Sequence, residues 1–274
     1  MKKFLYATLA VAALAFAACS KTDEQPVVKK LLKSTSTKKV ATNQDASYTN
    51  SYLYNSDGFL TEETNTTLNL STNETTVTSN LYNYTPNLLT LQFKDKDGKI
   101  TSTLLCHLNK KNLLTVDSTD DSNAYFYEYD SKDRVIKMEN IDQITKKTNY
   151  IYTYIFQGDK LTERKNVYMD ANNDSKDETV TTYFYDKDIK NSLTNAARGM
   201  SFNGGGNLYV PTRTIAVTST YAISTGKPKS TNQTETEYSY ELDANGLIGK
   251  KGTKTKNGTN PWSEEKFISY EYEK

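Results

Sequence analysis

The sequence predicts an all-β fold: successive antiparallel hairpins in up-and-down order, curled into an open sheet or a barrel-like shell. Pairs of tyrosines one residue apart recur along the chain, beginning at Tyr52, Tyr82, Tyr127, Tyr152, Tyr183, Tyr238 and Tyr270. Between them recurs a turn signature, Asp or Asn, any residue, Asp or Asn, then Gly, at Asn55–Gly58, Asp95–Gly98 and Asp243–Gly246. The apolar and polar residues around these turns alternate with a period of two, as in Thr234, Thr236, Tyr238, Tyr240 against Glu235, Glu237, Ser239, Glu241. A period of two places successive side chains on opposite faces of a strand.

The chain opens differently. Lys2 and Lys3 precede an uncharged apolar run, Phe4 to Ala18, too short to span a bilayer comfortably at about 20 residues. It reads as a secretory signal peptide over residues 1–18. Its end, Leu14-Ala15-Phe16-Ala17-Ala18-Cys19, resembles the bacterial lipobox, in which the cysteine is acylated and the chain is cut before it. Cys19 is therefore the expected lipidation site. Residues 19–45, rich in Lys, Ser and Thr, read as the lipidated cysteine and a flexible tether, with Val27 to Leu32 an alternative first strand. Asp23 and Glu24 resemble the acidic signal that directs Bacteroidota lipoproteins to the outer face of the outer membrane. Residues 46–274 read as a single β domain.

Removing Lys2 and Lys3 with the leader leaves 32 basic against 33 acidic side chains, a net charge of −1. No basic excess remains to hold nucleic acid, so the membrane partner is reached through the lipid. With Cys19 acylated, Cys106 is the second of 2 cysteines and has no disulfide partner. The 21 tyrosines and abundant threonines suit pleated, half-buried surfaces.

In the turns, Asp or Asn opens a type I turn by accepting nearby backbone amides, and Gly takes the left-handed closing position. Asp130–Asp133, Gln157–Asp159 and Asp186–Asp188 read as degenerate copies. The tyrosine pairs are separated by 30, 45, 25, 31, 55 and 32 residues. The 45-residue gap is assigned a copy with Phe93 as its aromatic and the turn at Asp95, and the 55-residue gap an insertion near 190–220. Stacked two-strand units of about 30 residues result. Tyr150, Tyr152, Tyr154 and Phe156 alternate with Ile151, Thr153 and Ile155, which reads as a strand covered on both faces. A two-sheet sandwich is the alternative architecture, disfavoured by the lack of long crossovers. Charged faces such as Glu235-Glu237-Glu241 argue against a transmembrane barrel, whose strands need outward apolar bands.

Tyr52-Leu-Tyr-Asn-Ser-Asp-Gly-Phe-Leu, Tyr127-Glu-Tyr-Asp-Ser-Lys-Asp-Arg-Val and Tyr238-Ser-Tyr-Glu-Leu-Asp-Ala-Asn-Gly-Leu-Ile resemble the tyrosine-aspartate (YD) repeat of bacterial Rhs and eukaryotic teneurin shells. Asp133 stands where that repeat has Gly, Glu241 where it has Asp, and its Arg is present as Arg134. Together with the lipobox, the chain resembles uncharacterised Bacteroidota outer-membrane lipoproteins built from such hairpins with a porin-like β fold. The Pro-Thr strand that follows a loop in that family is matched by Leu208-Tyr-Val-Pro-Thr-Arg-Thr-Ile. The resemblance implies a fold and a location, and no activity.

Catalytic and metal chemistry is thinly represented. His107, the single histidine, adjoins Cys106, but neighbours on a strand point to opposite faces and cannot act as nucleophile and base. No Gly-x-Ser-x-Gly elbow occurs. Too few Cys and His are present for a zinc site. Asp170, Asn172 and Asp174 match the first, third and fifth calcium ligands of an EF-hand loop and are the candidate calcium ligands, while Ser175 and Thr181 replace its Gly and Glu. Asp117-Ser118-Thr119 resembles the Bacteroidota O-glycosylation acceptor, with Ser118 as its site. Trp262 is a candidate for stacking on a sugar. The functional expectation is a lipid-anchored, non-enzymatic module that binds glycan or protein; a polysaccharide hydrolase using two carboxylates and a structural coat protein are the alternatives. Cys19→Ala should leave precursor or soluble protein, with folding unchanged, when cells are fractionated and partitioned in detergent; an unaltered membrane fraction would disprove acylation at Cys19.

Overall fold

A computed structural model describes residues 30–38, 46–118, 122–169, 175–193, 208–222 and 228–273. They form sixteen strands: β1 (Leu31–Lys38), β2 (Ala46–Tyr54), β3 (Leu60–Asn69), β4 (Thr75–Thr85), β5 (Leu88–Lys94), β6 (Ile100–Leu108), β7 (Leu114–Ser118) and β8 (Asn123–Tyr129). The second half comprises β9 (Val135–Asp142), β10 (Thr148–Gln157), β11 (Lys160–Met169), β12 (Ser175–Phe184), β13 (Arg213–Ala222), β14 (Pro228–Leu242), β15 (Ile248–Asn257) and β16 (Lys266–Tyr272). Each strand pairs antiparallel with the next, and β1 pairs with β16, from Leu31 opposite Tyr272 to Ser36 opposite Ile268. The meander is a closed barrel, neither an open sheet nor a sandwich.

Two expectations need correction. Leu31–Lys38, assigned to the tether, is the strand that closes the barrel. Leu31 is fully buried, and Ser34 and Ser36 continue its face at alternate positions, a polar strand whose composition is that of a linker. The repeat unit without a tyrosine pair is carried by Cys106 and Leu108 on β6, and not by Phe93. Phe93 lies on β5, and the Asp95 turn joins β5 to β6 at the opposite end of the barrel. The pairs all fall on even-numbered strands, which places every pair at the same end.

Five loops share one hydrogen-bond scheme. The Oδ1 of Asn55, Asp95, Asn109, Asp130 and Asp243 accepts the amides two and four residues on. The residue three on is left-handed in each: Gly58, Gly98, Asn112, Asp133 and Gly246, with φ of 85, 77, 58, 60 and 77°. Asn and Asp tolerate that region better than other side chains, so Asp133 replaces Gly with the turn intact, and Asn109–Asn112 is a turn of the same kind without any glycine.

The tyrosine face is the concave one. Tyr52, Leu60, Tyr82, Leu89, Cys106 and Leu114 pack with Leu31 in one buried cluster, against which Tyr270 and Tyr272 of β16 also lie. Here the second tyrosine of several pairs reaches a backbone carbonyl on the preceding strand. Tyr54, Tyr129, Tyr185, Tyr240 and Tyr272 donate to the carbonyls of Leu31, Leu114, Leu161, Pro211 and Ile248 at 2.5–3.0 Å. The equivalent hydroxyl of Tyr84 is buried and without a partner.

The convex face carries cross-strand ion pairs. Glu237 meets Lys254, Glu241 meets Lys250, and Glu235 lies between Arg213 and Lys256, all within 2.7–3.3 Å. Lys165–Glu178, Lys137–Glu128 and Lys33–Glu271 continue this pattern on other strands. Val77, Leu105 and Ile155 also face outward, each between polar residues of the same face, and Phe126 does so between Ala124 and Glu128; Ile155 is 52% exposed, so β10 is not covered on both faces.

Tyr129→Phe is expected to lower the unfolding free energy by about 1 kcal/mol, the usual net value of such a hydrogen bond. Tyr84→Phe, which loses no partner, should be neutral or slightly stabilising. Denaturant titrations with equal m-values check the contrast, and equal losses at both positions would contradict it.

Candidate ligand-binding site

Sixteen strands enclose more space than inward side chains fill; barrels of 16–18 strands leave an aqueous interior. In this chain one end of that interior has a floor. Its core is the buried cluster of Leu31, Tyr52, Leu60, Tyr82, Leu89, Cys106 and Leu114, against which Tyr127 of β8 and the tyrosines of β16 also pack. The long connection after β12 adds to it. Ser192 Oγ accepts the amide of Ile248 at 2.8 Å and lies 3.0 Å from the hydroxyl of Tyr272, three and four strands on. The neighbouring loops of that rim are tied in series: Lys111 to Asp133, Lys132 to Asp159 and Lys160 to Asp188.

Away from the floor the wall is mostly hydroxyl and amide. The register puts Asn50, Asn65, Thr78, Thr179, Thr181, Thr218, Thr234 and Thr236 on the tyrosine face. Thr179 and Thr218 hydroxyls are 2.9 Å apart, and Thr234 donates to Asn257. The bulged Asn149 donates to both Asn123 and Asn140. Glu63, Asp117 and Asp177 lie on the inward face, Asp177 exposed near the start of β12 opposite Tyr168 and Thr220. Glu63 accepts from Asn80 Nδ2 and the Tyr82 hydroxyl, at 3.2 and 3.3 Å. Asp117, 7% exposed, accepts the Tyr127 hydroxyl at 2.7 Å. Burial raises the Asp117 carboxyl above its ordinary range, against the lowering effect of that hydrogen bond, and burial also raises Tyr127. Glu63 on β3 and Asp117 on β7 are four strands apart, roughly 19 Å around the sheet at about 4.8 Å per strand. Glycosidase carboxylates stand about 5–9.5 Å apart, so this pair cannot serve the hydrolase alternative.

The residues singled out in the sequence are dispersed. Cys106 is buried in the floor cluster, where desolvation pushes its thiol up to about 12, and His107 points outward, so the two stand on opposite faces as expected. Ser118 ends β7 on the outward face, opposite Ala124 and Leu105. Trp262 lies in the β15–β16 connection with the ammonium groups of Lys254 and Lys256 over its ring, 5.0 and 4.8 Å from the centroid. Those lysines belong to the outer ladder, so Trp262 is on the outer wall and not in the lumen. Cys19, Asp170, Asn172 and Asp174 lie outside the described residues. Among the described residues no group of three or more His, Cys, Asp or Glu converges on a metal position. The inward residues Glu63, Arg164 and Asn166 carry no motif in the sequence, and Asp117 stands there only as the first residue of the Asp117-Ser118-Thr119 acceptor; strand parity relative to the tyrosines is the signal that finds them.

No protein-family model matches the sequence, and no curated protein does. Its fold is similar to the crystal structure of a porin-like protein from Bacteroides uniformis, with a TM-score of 0.64 and 17% identity over 89% of this chain and 98% of that one. At this identity the likeness is one of fold: a porin-like, all-β barrel.

Asp117 gives a pH test. Its folded-state carboxyl titrates above the unfolded value, so ionisation near neutral pH favours unfolding and protonation removes that cost. Asp117→Asn, which can still accept from Tyr127, should therefore unfold at higher temperature than the parent at pH 7. The difference should shrink as pH falls toward about 4, the ordinary Asp range. A difference that grows on acidification would reverse the assignment.

Proposed function

We propose that the chain is an outer-membrane lipoprotein, held to the bilayer by an acylated Cys19, whose barrel stands in water and binds glycan in its lumen without catalysis. The observation that carries this reading is the distribution of polarity. The outer wall bears Lys–Glu and Arg–Glu ladders, whereas the inner wall presents tyrosine, threonine and asparagine. Lys or Arg on a lipid-facing barrel surface costs about 2–4 kcal/mol at the bilayer midplane. A succession of charges along β13–β15 therefore favours a barrel tethered beside the membrane over one embedded in it. The porin-like fold neighbour and the lipobox support association with the outer membrane.

Glycan is favoured over protein as the ligand for two reasons. Hydroxyl and amide groups lining a floored cavity match the neutral donors and acceptors of a saccharide, and tyrosine rings supply flat apolar faces. A protein strand would need a free sheet edge to pair with, and barrel closure leaves none.

Two measurements on the full chain test the proposal. Reconstituted into planar bilayers, the protein should give no stable conductance steps; reproducible steps would mean a membrane-spanning pore. Screened against oligosaccharides by saturation-transfer NMR, it should bind some of them, and a variant carrying Thr179→Trp, which narrows the lumen, should bind none. Failure of every oligosaccharide to bind the parent would remove glycan as the ligand class.

A further inference from the structure

We propose that Arg164 and Asn166 form a subsite for a carboxylate-bearing sugar, a hexuronic acid residue of an acidic glycan; this rests on the reading of the lumen as a glycan site. Both residues lie on β11 with side chains on the tyrosine face. Arg164 sits between Tyr154 of β10 and Thr181 of β12, and Asn166 between Tyr152 and Thr179. Beyond Thr181 comes Ala216 of β13, whose methyl leaves room above the wall.

The charge of Arg164 is unanswered. Of the described arginines, Arg134 is paired with Asp130 and Arg213 with Glu235, but Arg164 has neither an ion pair nor a side-chain hydrogen bond among the described residues. Its one described contact as a cation is the ring of Tyr152, 5.7 Å away. The Nε of Arg164 and the Oδ1 of Asn166 are both sealed from water without a partner. Of the inward carboxylates, Glu63 accepts from Asn80 and Tyr82, Asp117 accepts from Tyr127, and Asp177 lies opposite Tyr168, four positions along β12 from Thr181, the residue paired with Arg164, and forms no ion pair with it. The neighbouring Lys165 points outward to Glu178. A buried donor and a buried acceptor two residues apart, each missing its complement, describe a ligand with both an acceptor and a donor.

A hexuronic acid meets that description. Its planar carboxylate can accept from the guanidinium fork, and an adjacent ring hydroxyl can donate to Asn166 Oδ1. The aromatic side chains of Tyr152 and Tyr154 flank the pair in register. Inorganic phosphate fits less well, because it offers nothing to lie against the rings. A neutral sugar would leave the guanidinium without a counter-charge.

The test compares trigalacturonate with the same trisaccharide after reduction of its carboxyls to hydroxymethyl groups, each titrated calorimetrically into the full chain. The acidic trisaccharide should bind at least about ten-fold tighter, the scale of one charge-assisted hydrogen bond. Arg164→Gln should abolish that preference and leave the affinity for the reduced sugar unchanged. Asn166→Asp supplies Arg164 with an internal carboxylate, so it should lose the preference while raising the melting temperature, a result that misfolding cannot imitate. Equal binding of the two trisaccharides by the parent, or a preference that survives Asn166→Asp in a folded variant, overturns the subsite and leaves the glycan reading in place. Binding of neither trisaccharide to the parent overturns the subsite, and the wider screen of oligosaccharides then decides the glycan reading separately.

Discussion

The floor of the barrel depends on a hydrogen bond from a tyrosine side chain to a main-chain carbonyl that the sheet leaves beyond its ladder. Each acceptor residue lies at or near the start of an odd-numbered strand, two positions before that strand's first pair with the next. Leu31 precedes Lys33–Ser51, Leu114 precedes Val116–Phe126, Leu161 precedes Glu163–Thr182, Pro211 precedes Arg213–Glu237, and Ile248 precedes Lys250–Ser269. The next strand has already turned away at this point, and a buried carbonyl without a donor is costly. A tyrosine near the end of that next strand supplies the missing donor while its ring lies over the floor. One side chain thus completes the ladder and builds the core. Phenylalanine could do only the second, which explains why a chain with 9 Phe uses 21 Tyr.

The period of about 30 residues follows from the same arrangement. Two strands and two turns separate successive floor positions on one end, and every even-numbered strand except β6 presents aromatic residues there. On β6 and β10 the hydroxyl is dispensed with, since Leu108 and Phe156 end those strands, and on β4 the Tyr84 hydroxyl is left buried without a partner against Phe59, ring centroids 5.2 Å apart. The floor tolerates such gaps at single positions because the barrel is also held by its continuous backbone ladder and, at the rim, by the exposed Lys–Asp links between loops. Exposed pairs of that kind contribute little individually, with a median of about 0–1 kcal/mol; their consistent direction around the rim bears on loop order more than on stability.

Much of this was legible in the sequence because its causes are local. The turn signature acts through an Asx side chain and its own amides, and the alternation of Glu235, Glu237 and Glu241 with Thr and Tyr assigns two faces within one strand. What was not legible depended on partners distant in the chain. Leu31–Lys38 has the composition of a linker, and it is a strand because Tyr272 and Ser51 lie on either side of it. The Cys106–Leu108 copy lacks both tyrosines, so it is recognised only when strand parity shows that β6 must carry one. Trp262 drew attention as a rare aromatic residue, yet its ring serves the outer lysines. Arg164 looked like an ordinary alternate residue of a polar strand, and only its failure to find a carboxylate inside the closed barrel sets it apart.

Inside and outside therefore divide the charge of the protein unequally. Outward lysines and arginines meet glutamates across neighbouring strands, so the convex surface is electrically settled within itself. In the interior Glu63 and Asp117 accept from hydroxyl and amide donors, Asp177 lies exposed opposite Tyr168, Lys251 lies over the ring of Tyr238, and the guanidinium of Arg164 has no carboxylate partner among the described residues. Such a cation is tolerable where tyrosine faces offer a weak, negatively polarised surface, as Tyr152 does at 5.7 Å. The hydroxyl latches and Ser192 occupy the floor, directing approach to the opposite end. A ligand entering there would pass hydroxyl and amide groups first and reach the guanidinium near the floor. The deep position of Arg164 suits the discrimination of a charged terminal residue, because selectivity is greatest where water has been left behind and an unmatched group remains unpaired.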